Sequence, residues 1–120
     1  MKARTKAFAV AVIRFTETLP RGRANDIICR QLIRSATSVG ANYRAALQGK
    51  SPADFIAKMA IVLEEVDESQ YWIEMLIETG AVVKGAGGID SALPIQQEAK
   101  ELTAIIASTL KTSRENAARK

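Results

Sequence analysis

The chain has 120 residues, enough for one domain around a single ordinary core, and it is 48% hydrophobic and 25% charged, a globular balance. It contains no histidine and one cysteine, Cys29. That removes the commonest general base and the commonest transition-metal ligand, excludes an internal disulfide and fits a reducing cytoplasm.

The net charge of +4 is segregated along the chain. Residues 1–50 hold ten Lys/Arg against Glu17 and Asp26, whereas residues 51–101 hold three Lys/Arg against ten Asp/Glu. Blocks of opposite sign in one domain point to pairing between elements, between subunits, or with an external anion.

Met1 to Lys6 is basic and Ala7 to Ile13 apolar, but Arg14 and Glu17 interrupt the run before any small-residue cleavage site. No stretch approaches the roughly 18–20 apolar residues of a membrane span. The segment therefore reads as a first helix over about 2–19, with Phe8, Val12, Phe15 and Leu19 on one face and Pro20 ending it. A second helix is expected over about 23–48, with Ile28, Leu32, Val39, Tyr43 and Ala46 inward and Gly49 as its left-handed C-terminal residue.

Ser51-Pro52-Ala53-Asp54 is the most specific local signal. Serine suits the N-cap, proline the first helical position, and aspartate the place of a capping acid. The third helix then runs over about 52–79, carrying Phe55, Met59, Val62, Val66, Ile73 and Ile77 inward and stopping at Gly80. Ala81 to Gly88 reads as a flexible connection, followed by a fourth helix over about 91–113. Asp90 or Ser91 caps that helix, Pro94 sits in its first turn, Leu102, Ile105, Ile106, Thr109 and Leu110 form its stripe, and a fraying tail follows. Residues 1–120 are thus expected to form an all-α, antiparallel up-down-up-down four-helix bundle.

Gly49-Lys50-Ser51 lacks both the earlier glycine and the preceding strand of a phosphate loop, and Gly85 to Gly88 lacks the strand and spacing of a dinucleotide site. The acids Glu64, Glu65, Asp67 and Glu68 have no histidine to complete a di-metal bundle site. No catalytic set, metal or cofactor is expected, and Cys29 reads as a packing residue.

The outer faces carry more information. Arg23, Arg30, Arg34 and Arg44 fall within about 80° around the second helix, with Thr37, Ala41 and Gln48 filling the gaps along that stripe. Two readings of this row stand. It binds phosphates, to which guanidinium forks are matched, or it pairs with acids of the third helix, in the same chain or a neighbour. That helix presents Glu64, Asp67, Glu68, Glu74 and Glu78 around Tyr71 and Met75, the composition of a protein contact. If part of the row is paired, nucleic acid meets what is left over, including Lys2, Arg4 and Lys6.

The string Gln31-Leu32-Ile33-Arg34-Ser35-Ala36-Thr37-Ser38-Val39-Gly40-Ala41-Asn42-Tyr43-Arg44, with Asp54 to Lys58 and Glu64 to Trp72, resembles the bacterial four helix bundle protein family. That family includes proteins encoded in intervening sequences of large-subunit ribosomal RNA genes and is similar to the accessory protein of diversity-generating retroelements. The resemblance spans about residues 8–112. It implies a homopentameric ring and, in the retroelement relatives, a basic surface that binds nucleic acid and a reverse transcriptase. Carried across, Arg30, Arg34 and Arg44 become candidates for that surface and Asn42 for a polar contact near the ring interface. Many members carry an acid shortly after the asparagine, where this chain reads Tyr43-Arg44-Ala45-Ala46, so a role resting on that acid does not carry over.

Overall fold

The computed structural model describes residues 1–84 and 88–119, which form an all-helical bundle with no strand among them. Its elements are α1 (Lys2–Glu17), α2 (Arg23–Leu47), α3 (Pro52–Glu78), the single turn α4 (Ala81–Lys84) and α5 (Gly88–Ala118). The most extensive packing is between α2 and α3, followed by α3 with α5 and α1 with α2, and α1 also meets α5. The result is a rod of 53 × 22 × 19 Å. Its length follows from the roughly 1.5 Å rise per residue of helices of 25 to 31 residues.

One continuous core runs through the bundle. The stripe Phe8, Val12 and Phe15 of α1 is buried as its spacing predicts, as is Leu19, although α1 ends at Glu17 rather than at residue 19; so are Leu32 and Val39 of α2, Val62, Val66 and Ile73 of α3, and Leu102 and Ile106 of α5. Tyr43, Phe55 and Ile77 are only half-buried, packed against the edge of this core. Three hydroxyl residues are buried among the hydrocarbon: Thr5, Ser35 and Ser69. Each finds a partner, as buried hydroxyls must. Thr5 Oγ1 donates to Lys2 O at 3.1 Å, and Ser35 and Ser69 bond to each other at 2.9 Å.

The helix ends show where local signals are decisive. Ser51 Oγ accepts from Asp54 N at 3.1 Å, and the Asp54 carboxylate accepts from Lys50 N at 3.2 Å and from Lys58 Nζ at 2.8 Å. The capping sequence is thus realised. Gly80 closes α3 with φ +80°, the left-handed conformation that favours glycine. Gly49 does not adopt that conformation, contrary to the expectation for the end of α2. Its glycine is needed for close approach instead: a Cβ there would lie 3.0 Å from Ala46 O, 3.2 Å from Asp54 Oδ2 and 3.2 Å from Phe55 N.

Two further boundaries differ from expectation. Ala81 to Lys84 forms a helical turn that buries Ala81 and Val82, where a flexible connection is expected from the sequence; the expected hinge residues Gly85, Ala86 and Gly87 lie outside the described residues. The last helix starts at Gly88 and runs to Ala118, so Pro94 occupies its second turn. Pro94 and Asp90, whose carbonyl loses an intrahelical donor, are both exposed, which makes the proline tolerable. Arg114 to Ala118 continues the helix rather than fraying, because Arg, Glu and Ala are good helix formers.

Candidate functional site

The four arginines of the α2 row do not share one environment. Arg34 Nη1 lies 3.3 Å from Glu65 Oε2, and Arg34 also pairs with Glu68. Glu68 in turn accepts from Trp72 Nε1 at 3.3 Å, and Gln31 Oε1 accepts from Arg34 Nε at 3.3 Å. Arg34 is therefore tied to α3 of its own chain. Arg23, Arg30 and Arg44 are exposed, and none lies in an ion pair among the described residues.

Arg44 has company that the α2 periodicity alone does not reveal. Where α1 crosses α2, Lys2, Lys6 and Arg44 surround a groove of about 220 Å³ floored by Ala9, Thr37, Gly40 and Ala41. Small side chains on the floor leave the groove open, and α1 passes over it at Gly40, where a Cβ would stand in ordinary contact, 3.6 Å from the Thr5 backbone. Lys2 and Lys6 are exposed and, like Arg44, unpaired among the described residues. Three unpaired cations over an uncharged floor make the groove electropositive, and guanidinium and ammonium groups are the donors matched to phosphate oxygens.

Arg4 departs from the expectation that it joins Lys2 and Lys6. It faces α5, where Nε donates to Glu98 Oε2 at 2.8 Å and Nη2 to Glu98 Oε1 at 2.7 Å, with Glu101 at 3.0 Å. This bidentate bond holds the Glu98 carboxyl below its usual range and the Arg4 guanidinium above its own. No periodicity within either helix signals the pair, because it depends on how α1 and α5 are juxtaposed.

On α3, Glu64, Asp67, Glu74 and Glu78 are exposed. Tyr71, 52% exposed, stands among them, its ring 4.9 Å from that of Trp72 in an edge-to-face arrangement at 74°. Met75 is half-buried against the core rather than presented to solvent. Asn42 is also half-buried, and its Nδ2 donates to Ser38 O of its own helix at 2.9 Å. No three acidic or thiol side chains converge as a metal site would require among the described residues. Cys29 is half-buried, and burial, with Asp26 nearby, pushes its thiol up, away from the reactive thiolate. Among the described residues no helix is long and apolar enough to cross a membrane.

Comparison with known proteins gives this surface a family context. A family model described as 23S rRNA-intervening sequence protein matches residues 1–108. The chain belongs to that family. It is also similar to a crystal structure of a protein of unknown function from the S23 ribosomal protein family of Bacteroides thetaiotaomicron. The two share 33% identity over 92% of this chain and 97% of that one, with a TM-score of 0.80. No curated protein matches. The family resemblance carried by the α2 string thus extends over nearly the whole of this intervening-sequence protein.

Proposed function

We propose that this intervening-sequence protein is a non-enzymatic, cytoplasmic homo-oligomer that binds RNA or DNA through phosphate contacts on its α1–α2 surface. The observation that carries the reading is the groove in which Lys2, Lys6 and Arg44 stand unpaired over a floor of small residues. Arg23 and Arg30 extend the same surface along α2, whereas Arg34, neutralised by Glu65 and Glu68, contributes less than its place in the row implies. The protein works without a cofactor.

The working unit in this proposal is an antiparallel up-down-up-down bundle assembled into a homopentameric ring. Two relationships support the antiparallel order: residues late in α2 meet residues early in α3 while Arg34 meets Glu65 and Glu68, and Arg4, early in α1, meets Glu98 and Glu101 rather than the start of α5. Glu64, Asp67, Glu68, Tyr71 and Met75, with Asn42, are the proposed subunit contacts. Tyr71 is the strongest of them, since an exposed ring surrounded by acids suits a protein surface.

Binding of a generic RNA measured against salt tests the ligand. Affinity should fall steeply from low to physiological salt, because each phosphate contact releases counterions, and weak, salt-insensitive binding contradicts the proposal. Light scattering tests the assembly, with a mass of five times the 13.0 kDa chain expected.

A second reading has its own observation. Arg34 is already engaged by α3 acids, so the row can serve structure, with an acidic Tyr71 face docking another protein, such as a reverse transcriptase. In that case the assembly forms, RNA binding is absent, and Tyr71→Glu abolishes the protein contact.

A further inference from the structure

Between Lys6 and Arg14, α1 is apolar on every side. Ala7 to Ile13 is an unbroken apolar run of about two turns. Phe8, Ala9 and Val12 are buried in the core, which leaves Ala7, Val10 and Ala11 on the outside, Val10 with 39% of its surface exposed. An apolar surface all round is the mark of a helix covered all round. Beside this outer face a groove of about 230 Å³ runs between α1 and α5, lined by Ala7, Phe8, Ala11, Pro94, Ile95 and Glu98. Lys6 and Arg14 bound the face at its two ends, both exposed and unpaired among the described residues.

The charges on the other long helices select what can cover it. The outer face of α2 carries Arg23, Arg30 and Arg44, and the middle of α5 carries Lys100 and Lys111, so each repels Lys6 and Arg14. The outer face of α3 has the opposite sign. There Glu64, Asp67 and Glu74, exposed and unpaired among the described residues, surround Tyr71, which is 52% exposed.

The heights along the rod match as well. In the antiparallel order proposed above, α1 and α3 run in the same direction. Gly40 of α2 lies against Thr5 of α1, and Ser35 of α2 bonds to Ser69 of α3. Both contacts together put Thr5 level with Glu64, and at a common rise of about 1.5 Å per residue the two helices stay in step. Lys6 is then one residue from the level of Glu64, Tyr71 falls between Val10 and Arg14, and Glu74 is one residue from the level of Arg14. Copies related by rotation about an axis along the rod face each other at equal heights, so these are the groups that meet when α3 of one copy lies on α1 of the next.

We infer that the outer face of α1 seats a second copy of this chain, which lays the acidic Tyr71 face of its α3 along it, with Lys6 against Glu64 and Arg14 against Glu74. This rests on the homo-oligomer reading above and supplies the surface that the Tyr71 face meets. The two faces differ, so the contact is head-to-tail, and every copy offers one of each, as a closed ring requires. Lys2 and Arg44 lie toward α2, on the far side of Lys6, and remain open to phosphate. Glu17, the one acid on the α1 face, is level with a point between Glu74 and Glu78 and is the mismatched member of the contact.

The test is the mass of the full chain in solution, by light scattering over a dilution series. Wild type should assemble, and Val10→Glu, which puts a good helix former at an exposed site, should raise the dissociation constant at least about tenfold with the helical circular dichroism signal retained. Arg14→Glu alone and Glu74→Arg alone should each weaken assembly to a similar degree, since like charges then face each other, and the two swaps in one chain should restore it. Glu17→Lys should strengthen assembly. The charge swaps alter exposed side chains only, so they decide the matter even if Val10→Glu loses its helical signal. Assembly untouched by a folded Val10→Glu, a double swap no better than the single ones, or a weakened Glu17→Lys overturns this interface and leaves the homo-oligomer standing. A wild type of 13.0 kDa at every concentration overturns both.

Discussion

Ser35 Oγ on α2 and Ser69 Oγ on α3 are 2.9 Å apart, and neither residue exposes any surface. Each hydroxyl also reaches a carbonyl of its own helix, Leu32 O at 3.1 Å and Glu65 O at 2.8 Å. The pair is thus a polar register pin between the two most closely packed helices. Removing one hydroxyl leaves the other satisfied locally, so Ser35→Ala or Ser69→Ala alone should cost about 0.5–1.5 kcal/mol. The double variant should cost less than the sum of the two, as contacting residues do. Urea unfolding of the four proteins in this cycle checks it, and strict additivity contradicts the shared bond.

Arg4 and Glu98 give the fold a dependence on acid. The Glu98 carboxyl lies below its ordinary 4.5 chiefly through its bond with Arg4. A depressed folded-state value means stability that is present at neutral pH and lost as pH falls from about 4.5 through the lowered value. Asp26, bonded to Arg21, and Asp54, bonded to Lys58, shift in the same direction. Glu98→Gln should therefore be less stable than wild type at pH 7, with the difference shrinking below pH 4.5 as wild type loses the bond. Urea midpoints across that range that stay parallel rule the effect out.

Gly49 and Gly40 should respond oppositely to alanine. At Gly49 a methyl meets backbone and a capping carboxylate at 3.0 to 3.2 Å, so Gly49→Ala strains the α2–α3 turn and should cost about 1–3 kcal/mol. At Gly40 the nearest atoms stand at 3.6 Å, an ordinary contact, and alanine gains up to about 1 kcal/mol in helix propensity. Gly40→Ala should be neutral or stabilising. Thermal unfolding of both variants decides, and a destabilised Gly40→Ala means that the α1–α2 crossing is tighter than its geometry indicates.

Much of the fold is legible in the residues, for reasons that are local. The spacing of Phe8, Val12, Phe15 and Leu19 specifies a buried face, and Ser51-Pro52-Ala53-Asp54 specifies a helix start, because both depend on neighbours within a turn or two. Ser35 and Ser69 are not legible in this way, because a polar residue on a helix looks solvated until its partner on another helix is known. Gly49 departs from its expected role because glycine serves two needs, a left-handed backbone and close approach, which a sequence does not distinguish.

The candidate site divides in the same way. The angular clustering of Arg23, Arg30, Arg34 and Arg44 is a property of one helix and can be read directly. The separate fate of Arg34 follows from the α2–α3 register that brings it to Glu65 and Glu68, and the opposing charge blocks anticipate such pairing without naming its members. The groove of Lys2, Lys6 and Arg44 exists only because α1 crosses α2 at Gly40, a long-range fact absent from any single stretch.

Phosphate binding at that groove is tested most directly by plotting log Kd for RNA against log salt, for wild type and for a Lys2→Gln, Lys6→Gln, Arg44→Gln variant. These exposed side chains take no part in the core, so the variant should retain the helical signal. Its slope should be shallower than that of wild type by about 2 to 3, since each phosphate that is no longer neutralised removes about 0.7 for a single strand and about 0.9 for a duplex. Equal slopes and equal affinities for the two proteins contradict a phosphate-binding groove between α1 and α2.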